Sequence, residues 1–277
     1  MGKLSIIIPY YQEPYLEKTI ASLKENVVGE IEILPEEGSM GMRAAINEGL
    51  KKATGNFIMK IDAHCVVCKG FDEITKDCKE NWLMVPRRYA LNEEKWTKDE
   101  SRSPRDYHYL KFPRASDPSY GYSFQVAVWY KKGKPEIDDI MTFQGSCWVA
   151  NRKYFTEHVG FLDDRVETYG SFSQEQQEIG LKYWLGGGEV KVNKKFWYSH
   201  LQKRPSHYQS RQFSREHKKP RQLIENNEWI TKHWMNNEEP GMIHTFSWLI
   251  EKFWPIPTWE YNWKEIWSKY GNKTKSL

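Results

Sequence analysis

GNFIMKIDAHCVVCKGF, residues 55–71, contains the strand around which we expect the fold to be built. Residues 57–61 are a short apolar run preceded by a glycine, which predicts a buried strand of a sheet covered on both faces. Asp62 and His64 follow, and residues two apart in extended chain project to the same side. A carboxylate oxygen and an imidazole nitrogen that converge at a strand's carboxyl end can hold a divalent cation. On spacing alone, a loop with two polar residues is the commoner explanation.

Alternating strand and helix patterns precede this strand. Residues 4–8 and 31–34 are apolar runs typical of strands, while residues 17–24 and 41–53 have helical periodicity. Strand, helix, strand, helix, strand at this spacing predicts a parallel sheet with right-handed crossovers. The sequence contains no Gly-x-Gly-x-x-Gly and no P-loop motif, so it lacks the phosphate cradles of dinucleotide-binding and ATPase folds.

The polar side chains expected after the first two strands are acids. Glu13 follows the first strand, and Glu36 and Glu37 follow the second. Carboxylates in these positions suit hydrogen bonds to a base N–H or to ribose hydroxyls, and they would repel a phosphate. Solvated loop acids are the alternative interpretation for each of them.

Two further strands and a helix are expected in the second half of the chain. Residues 141–150 and 190–198 have strand character, and the helix between them contains Glu175 and Glu178. These two glutamates lie one turn apart on one face near the helix N-terminus, where acids also stabilise the helix dipole. The last strand leads directly into His200.

Basic and aromatic residues are unevenly distributed along the chain. The net charge, 41 − 37 = +4, is too small to require a polyanionic partner. However, residues 203–221 contain seven lysines or arginines against one acid, with histidines and aromatic residues interleaved, and the region around Arg105 has a similar mixture. Such segments are typical of contacts with a phosphate-rich partner, and a solvated face is the ordinary alternative. Residues 223–267 predict helices and a Trp-Pro segment that pack back on the rest.

Length, hydropathy and cysteine usage argue against a membrane-spanning, a secreted or a zinc-binding protein. The 277 residues suffice for one large domain, or for one domain with an appendage. No segment approaches the roughly 18 apolar residues of a membrane span, and the N-terminal residues do not form a signal peptide. One C-x-x-C pair without a second pair favours reduced thiols over a zinc site. We therefore expect a cytoplasmic protein, of a bacterium or a virus-infected host cell, with no membrane partner.

Together these motifs resemble those of the GT-A glycosyltransferases, among them family 2 and the polypeptide N-acetylgalactosaminyltransferase branch. The similarity covers roughly residues 4–203, and several matches in the right order make it specific. The segments that carry it are SIIIPYYQE as the opening strand, PEEGS in place of the paired aspartates, GMRAAINEGLKKATGNFIMKIDAHC as the Arg-bearing helix and metal strand, EQQEIGLKYWLGGG as the acidic helix, and the Ser-His of FWYSHLQK as the later metal-binding histidine.

The resemblance implies an α/β fold of the GT-A type, with a mostly parallel central sheet flanked by helices and a C-terminal helical, Trp-rich extension. We predict a catalytic domain over residues 1–203 and a basic, Trp-rich extension over residues 204–277 packed on it. The implied site consists of metal ligands Asp62, His64 and His200; catalytic residues Asp62, Glu175 and Glu178; donor-binding residues Pro9, Glu13, Glu37, Arg43, Asp62 and Gly145; and acceptor-binding residues Arg105, Trp148, Tyr169, Arg211 and Arg215.

The resemblance also implies the reaction, the transfer of a hexose from a nucleotide sugar to a hydroxyl group. The cation, manganese first and magnesium second, would offset the charge that builds on the leaving diphosphate. For the acceptor we favour hydroxymethylated pyrimidines in viral DNA, because of the basic and aromatic segments. A glycan or lipid-linked acceptor is one alternative, and a non-catalytic nucleic-acid-binding protein on the same scaffold is another.

Some features depart from the family pattern. Glu36 and Glu37 replace the paired aspartates, which leaves the base of the donor open, with uridine as the default. Residues 169–171, Tyr-Gly-Ser, stand where the branch has Trp-Gly-Gly, and extra residues follow, so the acceptor side is open as well. We expect neither a lectin domain nor a membrane anchor, and therefore no secretory-pathway enzyme.

Overall fold

A nine-stranded mixed sheet forms the centre of the computed structural model, which describes residues 2–113, 123–130, 133–202 and 220–271. The strands are β1 (Leu4–Tyr10), β2 (Ile31–Glu37), β3 (Phe57–Ile61), β4 (Cys65–Val67), β5 (Trp82–Asn92), β6 (Thr97–Lys98), β7 (His108–Leu110), β8 (Val126–Val128), β9 (Ile137–Asp139), β10 (Cys147–Asn151) and β11 (Glu189–His200). The helices are α1 (Leu16–Asn26), α2 (Met42–Lys52), α3 (Ile74–Asp77), α4 (Arg152–His158), α5 (Glu175–Leu185), α6 (Pro220–Met235), α7 (Phe246–Phe253) and α8 (Trp263–Gly271).

The strand order of the main sheet is β2-β1-β3-β10-β5-β11-β4, with β6 paired to β5 and β9 paired to β11. β1 is parallel to β2 and β3, β5 is parallel to β11, and β10 runs antiparallel between β3 and β5. Five of the seven strands along this path therefore point in one direction. The predicted α/β fold, with a mostly parallel sheet flanked by helices and a helical C-terminal region, is confirmed.

β3 and its neighbour β1 begin and end close to the positions that the sequence predicts. β3 covers residues 57–61 as predicted, and Gly55 is needed before it because a Cβ there would lie 2.5 Å from the carbonyl oxygen of Lys3. β1 continues through Pro9, where we expected it to stop. β3 pairs only with residues 4–7 of β1, so the missing N–H of Pro9 costs the sheet no bond on that side.

Other predicted strands differ in length from the observed ones. The predicted strand over residues 141–150 is wrong in its first half, because β10 begins only at Cys147. The carbonyls of Gly145 and Ser146 instead accept hydrogen bonds from Lys60 and from the backbone N–H of Asp62, which keeps this segment out of the ladder. β5 continues from Trp82 to Asn92 because it pairs with the long strand β11.

The C-terminal helices share a hydrophobic core with the sheet. Trp234 of α6, Phe246 of α7, and Trp259 and Trp263 further along the chain belong to the same buried cluster as Trp184 of α5. This packing agrees with the predicted extension, although the boundary at residues 203 and 204 stays a prediction. The four cysteines are buried and unpaired. Within the described residues, no helix combines the length and the apolarity needed to cross a bilayer.

Candidate active site

Asp62, His64 and His200 converge at one edge of the sheet. Asp62 follows the carboxyl end of β3, and His200 ends β11, which points in the same direction and pairs with β4 just after His64. Nε2 of His200 lies 3.1 Å from Oδ2 of Asp62 and 3.1 Å from Nε2 of His64. One ligand atom from each of the three residues lies within 4.8 Å of the others. The arrangement can therefore bind a metal ion through one oxygen and two nitrogens.

The second nitrogen of each imidazole has a different kind of partner. Nδ1 of His64 faces Oε2 of Glu13 at 3.2 Å, so it carries the proton and donates, and its Nε2 presents a lone pair. Nδ1 of His200 faces Nη2 of Arg88 at 3.1 Å. A guanidinium can only donate, so Nδ1 of His200 accepts and its Nε2 carries the proton. The contacts of the two rings thus place the proton on Nδ1 in His64 and on Nε2 in His200.

The charge states of the cluster follow from its burial and its neighbours. Burial lowers the pKa of His200 to about 4, although Asp62 acts in the opposite direction, so the ring is neutral at pH 7, as a metal ligand must be. Burial also raises the pKa of Asp62, but the Lys60 ammonium and His200 outweigh burial and hold that pKa well below its usual range. Asp62 is therefore a carboxylate throughout the physiological range.

Lys60 connects Asp62 to the acidic helix α5, a role that the sequence motifs did not predict. Its ammonium lies 2.7 Å from Oδ1 of Asp62, 2.5 Å from the carbonyl oxygen of Gly145 and 3.5 Å from Oε2 of Glu175. Burial lowers the pKa of Lys60, but the carboxylates of Asp62 and Glu175 raise it by more. The pKa of Lys60 therefore lies above its ordinary value. The signal in the sequence is a lysine inside the apolar run of β3.

Glu175 is buried beside this lysine. Nε1 of Trp148 donates to its Oε1 at 2.9 Å, and burial raises the pKa of Glu175 despite the attraction of Lys60. A Cβ at Gly145 would lie 2.6 Å from Oε2 of Glu175, so any other residue there would displace the Glu175 carboxylate. Trp148 is completely buried and stacks on Phe155, so its ring is not accessible to an acceptor from solvent.

Glu178, Arg43 and Tyr169 form a separate buried cluster between α2 and α5. Arg43 is fully buried, pairs with Glu178, and donates to the carbonyl oxygens of Ser173 and Asp163 at 2.9 and 3.0 Å. Lys182 lies 2.9 Å from the other oxygen of Glu178. The guanidinium also stacks on the ring of Tyr169, whose hydroxyl accepts from Nε1 of Trp234. These contacts are those of a buried structural network.

The remaining donor-binding predictions lie at the ends of the first two strands. Pro9 is in register with the buried Glu36, and Tyr10 is in register with the exposed Glu37. Glu36 pairs with Lys52 at 2.6 Å, whereas Glu13 is directed at His64. Of these residues, Glu13 is the one that touches the cluster of Asp62, His64 and His200.

The acceptor-binding predictions receive less support from the described contacts. Arg105 lies beside β5, where its backbone N–H donates to the carbonyl oxygen of Arg88 at 2.9 Å. The neighbouring cations are paired with acids, since Arg102 lies 3.2 Å from Asp99 and Arg87 lies 2.6 Å from Asp106. Arg211 and Arg215 lie outside the described residues. Within the described residues, part of the basic character expected around Arg105 is therefore offset.

A cavity of about 480 Å³ lies next to Tyr169, and its walls combine apolar and polar groups. Met40, Tyr169, Phe172, Ser171, Asp164 and Asn226 are among its lining residues. It has room for a ring-sized ligand, and of these residues Tyr169 and Ser171 belong to the Tyr-Gly-Ser segment noted in the sequence.

Comparisons with known proteins place this geometry in context. No profile of a known protein family matches the sequence. Over 182 residues the chain is 23% identical to "Probable N-acetylgalactosaminyltransferase 7" of Caenorhabditis elegans, a match that covers 64% of this chain and 30% of that protein. A 46-residue match is 41% identical to human "Polypeptide N-acetylgalactosaminyltransferase 18" and covers 17% of this chain and 7% of that protein. The match thus spans less than a third of either relative's length.

The solved structures include GalNAc-T7 with UDP, GalNAc and Mn²⁺. It has a TM-score of 0.57 and 17% sequence identity, and the match covers 74% of this chain and 44% of that one. S. aureus TarS has a TM-score of 0.47 and 13% identity, with 72% of this chain and 37% of that one covered. The likeness to GalNAc-T7 concerns the fold.

Proposed function

Because the chain forms a GT-A-type domain similar to that of the N-acetylgalactosaminyltransferases, we propose that it is a cation-dependent glycosyltransferase that uses a UDP-sugar donor and a hydroxyl acceptor. The observation that carries this proposal is the convergence of Asp62, His64 and His200 at the carboxyl edge of the sheet, where open α/β sheets bind their ligands. The GalNAc-T7 structure holds UDP and Mn²⁺, which makes manganese the first choice for the cation and magnesium the second.

The residues present fit such a cation. Metal–ligand bonds of about 2.1 Å place neighbouring ligands of a six-coordinate ion about 3 Å apart. Two of the ligand-atom pairs here are 3.1 Å apart, and Glu13 holds His64 in the tautomer that a ligand needs. The cation, when bound, supplies positive charge that stabilises the departing diphosphate.

The chain's own residues have three further tasks in this proposal. Pro9, Glu13 and Glu37 lie at the ends of β1 and β2 and would contact the nucleoside, where a carboxylate accepts hydrogen bonds from a base N–H or a ribose hydroxyl. Glu175, which is buried beside Lys60, would accept a hydrogen bond from a hydroxyl of the donor sugar or the acceptor. Lys60 orients the carboxylates of Asp62 and Glu175 relative to each other.

Glu178 and Arg43 act indirectly in this account. Their buried ion pair fixes α5 against α2, and α5 carries Glu175 one turn away. We therefore assign them a positioning role, rather than the direct catalytic and donor-binding roles that the family resemblance implies for them.

For the acceptor we propose hydroxymethylated pyrimidines in DNA. The support is the composition of residues 203–221, directly after His200, where lysine and arginine alternate with aromatic residues. Such segments bind phosphates and stack on a base that has left the helix. A glycan is the second candidate, because the cavity beside Tyr169 is lined by the partly exposed ring of Phe172, on which a sugar ring can stack, and by polar groups such as Asp164 that can bind its hydroxyls.

The test is incubation of the protein and Mn²⁺ with a panel of UDP-sugars, combined in turn with unmodified DNA, hydroxymethylated DNA and free saccharides. Mass analysis of the nucleosides and saccharides identifies the product. Sugar on the hydroxymethylated base supports the DNA acceptor, and transfer to a saccharide alone supports the glycan. Failure to use or hydrolyse any UDP-sugar would contradict a glycosyltransferase function.

A further inference from the structure

The contact between Arg88 and His200 is incompatible with a cation on His200. A histidine that binds a metal through Nε2 has its proton on Nδ1 and donates it to a carboxylate, a carbonyl or a water. His64 satisfies this rule through Glu13. His200 does not, because the guanidinium 3.1 Å from its Nδ1 has no lone pair to accept with.

Arg88 is also incompletely bonded for a buried charged side chain. It lies on β5 with only 7% of its surface exposed, and within the described part of the chain its Nε has no hydrogen-bond partner. Nη2 donates to His200, and the backbone pairs with Arg105 and with β11. A buried guanidinium with a free N–H donor beside a cation site is suited to bind an anion.

We propose that the Arg88 side chain has two positions. It donates a hydrogen bond to Nδ1 of His200 while the site is empty, and it binds the diphosphate of the nucleotide sugar when a cation occupies Nε2 of His200. This inference rests on the proposed function and names a ligand-binding residue for it. The diphosphate is the anionic part of a nucleotide sugar, and arginine binds phosphate oxygens through paired N–H groups. As the cation binds and Arg88 leaves, Nε2 of His200 releases its proton to solvent and Nδ1 takes one proton from solvent, so the ring gains and loses one proton and keeps its charge.

Arg88 should therefore weaken the binding of the cation and strengthen the binding of the nucleotide. Its removal should change these two affinities in opposite directions. Arg88→Met removes the donor that holds His200 in the wrong tautomer, and it removes a positive charge near the cation. We expect Mn²⁺ to bind the nucleotide-free variant about threefold more tightly or better. UDP binding at saturating Mn²⁺ should weaken about tenfold or more, because a charge-assisted hydrogen bond is lost.

Arg87→Met is the matched control. Arg87 is the adjacent residue of β5, projects to the opposite side of the strand, and pairs with Asp106. Its removal takes the same charge from the same strand without touching His200, so both affinities should stay within about twofold of the unmodified protein.

The experiment measures free Mn²⁺ by electron paramagnetic resonance and UDP binding by titration calorimetry, for the unmodified full chain and both variants. Ring ¹⁵N spectra of the metal-free protein add a direct check, with the proton expected on Nδ1 of His64 and on Nε2 of His200. If the unmodified protein binds neither Mn²⁺ nor UDP, the proposed function fails. If it binds both, but Arg88→Met weakens Mn²⁺ binding or leaves UDP binding within twofold, the role of Arg88 is wrong. Should Arg88→Met not unfold cooperatively, Arg88→Gln is judged by the same two affinities.

Discussion

The ammonium of Lys60 lies 2.7 Å from Oδ1 of Asp62, inside the sheet, with 1% of the lysine side chain exposed. This contact occupies one oxygen of the carboxylate and leaves Oδ2 directed at His200. The candidate metal ligand is therefore held in one orientation by a buried charge, and the same charge reaches Glu175. The energetic consequences of this arrangement can be measured separately from its chemistry.

Lys60→Met should destabilise the fold by about 3 kcal/mol, because it leaves the buried carboxylate of Glu175 and the partly exposed carboxylate of Asp62 without their common cation. Urea unfolding measures the change. Lys51→Met is the control, since Lys51 pairs with Glu48 on an exposed helix face and its loss should cost well under 1 kcal/mol. A loss below about 1 kcal/mol for Lys60→Met would mean that the ion pair does not contribute as described.

Glu178→Gln and Glu175→Gln should separate stability from activity. Glu178 accepts from both Arg43 and Lys182 in a buried network, so Glu178→Gln should lower the free energy of unfolding by about 3 kcal/mol. Glu175→Gln keeps an acceptor for Trp148 and should lower sugar transfer by about 100-fold, at a smaller cost in stability. Urea unfolding and initial rates on both variants check this contrast, which is contradicted if Glu175→Gln transfers sugar at the normal rate.

Glu32 should make stability depend on pH in the acid range. Burial raises its pKa, but hydrogen bonds from Lys3, Ser5 and Thr54 outweigh burial and lower the pKa to about 2. A carboxyl whose folded pKa is depressed contributes stability above its unfolded pKa, and that contribution disappears as the pH falls through the folded value. Allowing for partial exposure, we expect Glu32→Gln to cost about 2 kcal/mol at pH 7 and much less near pH 2.

The exposed Glu30 supplies the control for that experiment, since Glu30→Gln should change stability little at either pH. Unfolding curves of both variants between pH 7 and pH 2 give the comparison. An equal loss at both ends of this range for Glu32→Gln would show that its charge is not what stabilises the strands.

Salt should distinguish the two candidate acceptors. If DNA binds through the lysines and arginines of residues 203–221, transfer to hydroxymethylated DNA at limiting DNA should fall by about 10-fold or more between 50 and 200 mM salt, because bound counterions are released. UDP-sugar hydrolysis without DNA serves as the reference and should change far less. A DNA reaction with no more salt dependence than hydrolysis would contradict a backbone contact by these residues.

Much of this architecture follows from the sequence, because its signals are local. The apolar run of β3 and the residues that follow it predicted both the strand and the position of Asp62 and His64, and the Ser-His at the end of β11 predicted His200. Hydrophobic periodicity fixes which residues enter the sheet, and parallel strands bring their carboxyl ends to one edge.

The parts that the sequence did not reveal depend on pairing between distant residues. Lys60 and Arg88 look like ordinary basic residues in a strand pattern, and their importance comes from partners 115 and 112 residues away, Glu175 and His200. Glu178 and Trp148 carry the residue types of a site, but long-range packing buries them in structural contacts. Periodicity reports which face is buried and does not report which charges meet there.

The most direct test of the cation-dependent glycosyltransferase proposal is the Mn²⁺ dependence of UDP-sugar hydrolysis in the unmodified protein and in Asp62→Ala, with the exposed Glu157→Gln as control. We predict hydrolysis that EDTA abolishes and Mn²⁺ restores, little change in Glu157→Gln, and no measurable hydrolysis in Asp62→Ala. Equal hydrolysis by Asp62→Ala and the unmodified protein, with or without Mn²⁺, would contradict the assignment of Asp62, His64 and His200 as the catalytic cation site.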